Sequence, residues 1–168
     1  MEGNMTGRIW RIGSLLSKDG LGTEAIMSAC EKGLISGEVV LVVSDEAEAV
    51  GLEKARAHNV PTLVMNDGMV GQATSLFSND FSKHRFSPEK MGELVGKSVD
   101  IIPDHITETN ERAAWIIKRF LVENFLLDML IRSKIDFLLL DDSAWKLSAF
   151  FIEQIESQIG RQYLVNIS

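Results

Sequence analysis

The chain has 168 residues, 45% of them hydrophobic and 24% charged, with a formal net charge of −7. That composition suits a globular protein of single-domain size with a real core. The acidic balance excludes a broad basic surface of the kind that binds nucleic acid by counterion release. The lone Cys30 can form no internal disulfide, Arg8 and Arg11 interrupt the apolar stretch near the N-terminus, and the most apolar helix contains Lys118, Arg119, Glu123 and Asp128. A cytoplasmic protein with no secretory leader and no membrane span is expected.

Ile9 to Leu16 reads as a first strand. Leu21 to Lys32 reads as a helix with Ala25, Ile26, Ala29 and Cys30 on one face. Glu38 to Val43 is a continuous apolar, β-branched run, as expected of a strand buried on both faces of a parallel sheet. Glu46 to His58 is a helix with a stripe of Ala49, Val50, Leu52 and Ala55, and Val60 to Met65 is a third strand. The alternation then lapses over 66–105, a stretch rich in Ser, Asn and Asp with Pro88 and Pro103. Pro88 is placed to open a short helix, and Phe77, Phe81, Phe86 and Met91 are available to cover an exposed edge. Thr109 is expected to cap a helix over 110–133, with Glu111 in its first turn and Ala113, Ile116, Ile117, Phe120, Leu121, Leu127 and Ile131 inward. Trp115 also reads as core. Asp136 to Leu140 is a fourth strand, Ser148 to Gln158 a helix with Phe151, Ile152 and Ile155 inward, and Gln162 to Ile167 a fifth strand.

Such alternation specifies an α/β fold, a doubly wound parallel sheet of about five strands in the order 3-2-1-4-5 with right-handed crossovers. Ligands of these sheets bind beyond the carboxyl ends of the strands at the topological switch point. The candidate site therefore comprises 17–24, 44–46, 66–70, 141–147 and 166–168.

Three readings fit the turn after the first strand, Ser17-Lys18-Asp19-Gly20-Leu21-Gly22-Thr23-Glu24-Ala25. Small residues at a helix N-terminus let backbone N–H groups approach an anion, with Lys18 adding a point charge. Gly20-x-Gly22-x-x-Ala25 also fits a dinucleotide-binding fingerprint, with Asp45 as the ribose-binding acid. In the third reading the glycines only make the turn. Asp141-Asp142 is open in the same way: a cation or acid–base site, or simply an acidic helix N-terminal turn. His58, His84 and His105 have no metal-ligand spacing.

Flanking sequence adds a resemblance. Ala25 to Cys30, Gly37-Glu38-Val39, Val43-Ser44-Asp45, Ala49 to Arg56 and Val60-Pro61-Thr62 follow one family in order and spacing. The chain resembles the N-terminal half of the glycinamide ribonucleotide formyltransferases, folate-dependent enzymes of purine synthesis. The resemblance implies that Ser17, Lys18, Gly20, Leu21 and Gly22 hold the phosphate of glycinamide ribonucleotide. It places Ser44 and Asp45 beside that ligand and Trp145, Lys146 and Leu147 on the folate side. It makes Asn166 the hydrogen-bond donor to the formyl oxygen and 10-formyltetrahydrofolate the co-substrate.

Several positions depart from the pattern. Lys18 replaces a Gly, Leu21 a Thr or Ser, and Gly22 an Asn. Asp141-Asp142 replaces Ala-Gly, and Ser168 stands where a His is expected. The family's downstream Asp lies beyond this sequence. The resemblance thus implies a truncated or degenerate form that retains at most ribonucleotide binding, with one domain over 1–168, an insertion at about 66–105, and a homodimer or completing chain over the open edge. The rivals are a nucleotide-cofactor-binding domain and a non-catalytic interaction or regulatory protein.

Overall fold

Trp10–Leu16 forms β1, the central strand of a five-stranded parallel sheet in the order β3-β2-β1-β4-β5. The other strands are β2 (Gly37–Ser44), β3 (Thr62–Val64), β4 (Phe137–Asp141) and β5 (Leu164–Ile167). The helices are α1 (Leu21–Glu31), α2 (Val50–Ala57), α3 (Pro88–Ser98), α4 (Thr109–Arg132) and α5 (Ala149–Ile159), with a 3₁₀ turn at Val99–Ile101. This is a computed structural model, and it describes residues 7–66, 88–141, 146–159 and 164–167. The doubly wound topology and strand order match the sequence reading, because near-continuous apolar runs such as Val39 to Val43 can only be buried between two layers of helix.

Contacts divide the chain into two compact units. The first is Met1–Val64, Leu130–Trp145 and Ile159–Ser168, which holds the whole sheet. The second is Met65–Met129 and Lys146–Gln158.

In the first unit the core is Ile12, Leu16, Val39, Val42 and Leu139 from the sheet, with Met27 of α1 and Ala49, Leu52 and Ala55 at α2. The register of β1 on β2 shifts between Ile12 and Gly13, so that Ile12 pairs with Val39 and Gly13 with Leu41. Val40 is the extra residue of a β-bulge. A side chain at Gly13 would press on Leu130 and Ile135, so this glycine permits close packing on the other face. At the amino end the main-chain N–H of Arg11 donates to Asp136 (3.0 Å), and Trp10 meets Phe137 edge-on at 5.1 Å. These contacts set β1 against β4 in register.

In the second unit α4 buries Ile116, Leu121, Val122, Glu123 and Leu126, and α5 buries Phe150, Phe151 and Ile155. Phe120 packs on Phe150 with ring centroids 5.3 Å apart. Lys97 of α3 bonds both Glu93 (3.0 Å) and Glu153 (2.5 Å).

Several details differ from expectation. Helix α2 begins at Val50, because the Ser44 hydroxyl accepts the Glu46 N–H and the Ala49 N–H bonds the Glu46 carbonyl, which makes a turn of residues read as helix. The Arg112 N–H bonds the Glu108 carbonyl, so Thr109 sits inside the first turn of α4 instead of capping it. In α4, Ala113, Ile117 and Ile131 face solvent. In α1 the fully buried positions are Thr23 and Met27, and Ala25 is exposed. Phe77, Phe81, Phe86, Asp142, Trp145, Gln162, Tyr163 and Ser168 lie outside the described residues, as does the side chain of Met91.

Candidate functional site

One row crosses the carboxyl edge of the sheet: Val64, Ser44, Leu16, Asp141 and Ile167, in register from β3 to β5. Ser17 and Asp45 follow directly from neighbouring members of that row. The backbone of Asn166 lies in β5 opposite Leu140. The first unit thus brings the 17–22 loop, Ser44 and Asp45, and Asn166 to one end of one sheet. Lys146 and Leu147 belong to the second unit.

The 17–22 loop is shaped by two glycines. Gly20 is the N-cap of α1 and is left-handed, φ 60° and ψ 37°, a conformation that favours glycine. A Cβ there would lie 2.9 Å from a Leu16 methyl and 3.0 Å from the Gly51 Cα. A Cβ on Gly51 would lie 2.8 Å from both Leu16 methyls. The Gly51 N–H, in the first turn of α2, donates to the Lys18 carbonyl at 2.9 Å. Lys54 and Glu24 tie the same two helices by an ion pair of 2.7 Å. Gly20 therefore has a full structural explanation. Lys18 and Leu21 are exposed, Leu21 to 64%.

A contact that the sequence reading missed decides what the loop can do. The Thr23 N–H and hydroxyl both donate to Asp141 Oδ2, at 2.6 and 2.7 Å. Ser14 Oγ lies 2.6 Å from Thr23 Oγ1. Since the Thr23 proton goes to the carboxylate, Ser14 is the donor of that pair. Ser14, Thr23 and Asp141 are all buried. An acid from the end of β4 thus accepts a first-turn N–H of α1, the place where a helix attracts anions. Asp141 thus serves a helix that starts 120 residues earlier, a role that neither sequence reading of the Asp141-Asp142 pair gave it. The amides of Leu21 and Gly22 bond no acceptor among the described residues.

Two polar atoms at the same edge are buried without a hydrogen-bond partner among the described residues, Ser17 Oγ and Asp45 Oδ1. Ser17 has no exposed surface. A buried donor or acceptor left unmade costs about 1–3 kcal/mol, which a ligand group or a water relieves.

In the second unit, Glu123 of α4 is buried and accepts the Ser148 N–H at 2.8 Å, the Ser148 hydroxyl, and Arg119 Nε at 3.3 Å. Arg119 also donates to the Lys146 carbonyl. The Ser148 hydroxyl accepts the Phe151 N–H at 3.1 Å, so it caps α5. Burial pushes the Glu123 carboxyl above its ordinary range, against the opposing pull of the Ser148 and Arg119 bonds. The network fixes the segment from Lys146 to Ser148 on α4.

A cavity of about 440 Å³ opens at the other end of the sheet, lined by Arg11, Cys30, Glu31, Glu38 and His58 among others. His58 and Glu31 are hydrogen-bonded there at 2.6 Å. Burial, and then the neighbouring Glu31, push the Cys30 thiol up, which disfavours its reactive thiolate. The unsatisfied polar atoms lie at the carboxyl end of the sheet and not in this cavity. Among the described residues there is no metal-holding group of three His, Cys, Asp or Glu, and no helix is long and apolar enough to cross a membrane.

The topology is that of a doubly wound α/β sheet whose order reverses between β1 and β4, the switch point at which such sheets bind their ligands. The chain belongs to the formyl transferase family: the sequence profile described as "Formyl transferase" matches residues 10–107, more than half of its length. No curated protein matches it by sequence. Among solved structures it is similar to glycinamide ribonucleotide transformylase 1 from Symbiobacterium toebii, with a TM-score of 0.57 at 20% identity, covering 96% of this chain and 52% of that one. The phosphoribosylglycinamide formyltransferase from Coxiella burnetii gives a TM-score of 0.57 at 19% identity, covering 95% and 51%. A formyltetrahydrofolate deformylase from Pseudomonas putida KT2440 gives 0.55 at 12% identity, covering 96% and 38%. The chain therefore spans about half the length of the transformylases it matches.

Proposed function

We propose that this chain is the amine-substrate half of a formyl transferase that moves a formyl group from 10-formyltetrahydrofolate to the primary amine of glycinamide ribonucleotide. The observation that carries this reading is the loop at the end of β1. Its Gly20 turn opens α1, whose first amides are those of Leu21 and Gly22, and the buried Ser17 hydroxyl of the same loop has no partner among the described residues. Those groups, with Lys18, would hold the substrate phosphate. The amine nitrogen would attack the formyl carbon, the bond from that carbon to the folate nitrogen would break, and one amine proton would pass to the departing nitrogen. Asn166 would donate to the oxygen as it becomes an oxyanion, a contact worth about 10²–10³ in rate where it has been removed from other enzymes. The folate side would adjoin the β5 edge of the sheet. The cytosol is the compartment this reading assigns.

A specific observation supports one rival. Asp45 Oδ1 is a buried acceptor without a partner among the described residues, at the end of β2, where a dinucleotide-binding protein holds a ribose hydroxyl. Calorimetric titration with glycinamide ribonucleotide and with NAD separates the two. Binding of the ribonucleotide and not of NAD is expected. NAD binding that Asp45→Ala abolishes would replace this reading with the cofactor one, and binding of neither ligand would overturn both.

A further inference from the structure

We infer that the phosphate held in this cleft binds as its singly charged form, with Ser17 donating to one phosphate oxygen and Asp45 accepting the proton carried by another. This rests on the ribonucleotide reading above and specifies the protonation state of the ligand.

Ser17 and Asp45 each stand one residue beyond a register pair, Leu16 of β1 and Ser44 of β2. Neighbouring strands lie about 4.8 Å apart, so the two residues leave the sheet side by side. Each has a buried side-chain atom with no partner among the described residues, Ser17 Oγ and Asp45 Oδ1. The Ser17 side chain has no exposed surface at all. One atom is a hydroxyl with a proton to give, and the other is a carboxylate oxygen that can only accept. A direct bond between them would satisfy both, and the structure does not make one. A phosphate that answers both must accept at one oxygen and donate at another. The dianion cannot, because it carries no proton. The monoanion can: an oxygen accepts from Ser17, and the P–OH donates to Asp45.

The charges around this edge point the same way. Lys18 is the cation of the loop, and it is exposed. Against it stand Asp19 on the same loop, Glu46 and Glu48 after β2, and Asp141 at the end of β4, whose carboxylate accepts from Thr23. Glu24 of α1 and Lys54 of α2 offset each other in an ion pair of 2.7 Å. An edge with this excess of acids penalises a second negative charge on the ligand.

The test is calorimetric titration of the full chain with ribose 5-phosphate at pH 5.5 and 7.5, each in two buffers of different ionisation enthalpy. The second ionisation of a phosphate monoester falls near pH 6, so the monoanion is about twentyfold more abundant at the lower pH. Wild type should bind at least about tenfold more tightly at pH 5.5, and should take up about one proton per ligand at pH 7.5. Asp45→Asn presents an amide that can donate to the dianion. Its affinity at pH 7.5 should match or exceed that at pH 5.5, with the proton uptake gone, a change that a merely structural role would not produce. Ribose 5-sulfate needs no variant: it has the charge and shape of the monoanion without the proton. Wild type should bind it at least about tenfold more weakly than ribose 5-phosphate at pH 5.5. Affinity that rises with pH, wild-type binding without proton uptake, or equal affinity for the sulfate overturns the inference. Ribose 5-phosphate or glycinamide ribonucleotide binding alongside any of those results would leave the proposed function standing. Binding of neither by the wild type would overturn both.

Discussion

Gly20→Ala is expected to destabilise the chain by about 3 kcal/mol, read by urea denaturation of the two proteins at matched pH. Two costs add. A non-glycine residue at φ 60° gives up about 1–2 kcal/mol of backbone energy. The new methyl also meets Leu16, a residue with no exposed surface, at 2.9 Å, and overpacking of this kind costs about 1–3 kcal/mol. Gly51→Ala meets the same Leu16 methyls at 2.8 Å, but it lies inside α2, where alanine recovers about 1 kcal/mol of helix propensity. Its net cost should therefore be the smaller of the two, about 1–2 kcal/mol. Both substitutions push on one side chain, so the double variant should fall short of their sum. A Gly20→Ala protein within about 0.5 kcal/mol of the wild type would mean that the turn relaxes freely.

Ser148→Ala should cost about 2–4 kcal/mol at neutral pH, since it removes a helix cap and a donor to a buried carboxylate. Its pH dependence is the sharper test. The Glu123 carboxyl is held above its ordinary value, so the folded state binds that proton more tightly than the unfolded chain does. The contribution to stability is complete below the ordinary glutamate range near 4.5 and is lost as pH rises through the elevated value. Ser148→Ala takes away a bond that favours the charged form, so the protein should suffer more at pH 7 than at pH 5. Glu123→Gln should flatten the slope, because glutamine does not titrate. Parallel stability curves for wild type and Glu123→Gln between pH 4 and pH 8 would show that Glu123 titrates alike in both states.

The strands, their order and the end of the sheet that carries the cleft were legible in the sequence because they rest on local patterns: apolar runs, Gly and Pro punctuation, and alternation of element type. Helix boundaries were less so. The Ser44 turn that delays α2 depends on one side-chain bond to Glu46, which competes locally with helix. The two polar centres were invisible for a different reason. Asp141 and Thr23 are 118 positions apart, and Glu123 and Ser148 are 25 apart. No periodicity links such pairs. A signal did exist: Asp141 stands where the resembled pattern has an Ala, and an acid at the end of a buried strand needs a partner. Glu123 gave a weaker one, as the lone acid between Leu121, Val122 and Leu126. The inward face of α4 differs from the one read because the helix is apolar on more than one side: Ile117 and Ile131, read as inward, are exposed, while the buried line runs through Ile116, Glu123, Leu126 and Leu130.

The length of chain that separates Thr23 from Asp141 has a consequence for assembly. Closing so long a loop is entropically costly and comes late unless other contacts share the cost. Until β4 docks beside β1, the first turn of α1 has lost neither its open amide nor its attraction for anions. The Thr23 amide would report the moment of closure: in hydrogen exchange it should gain protection together with β4 and not with the rest of α1.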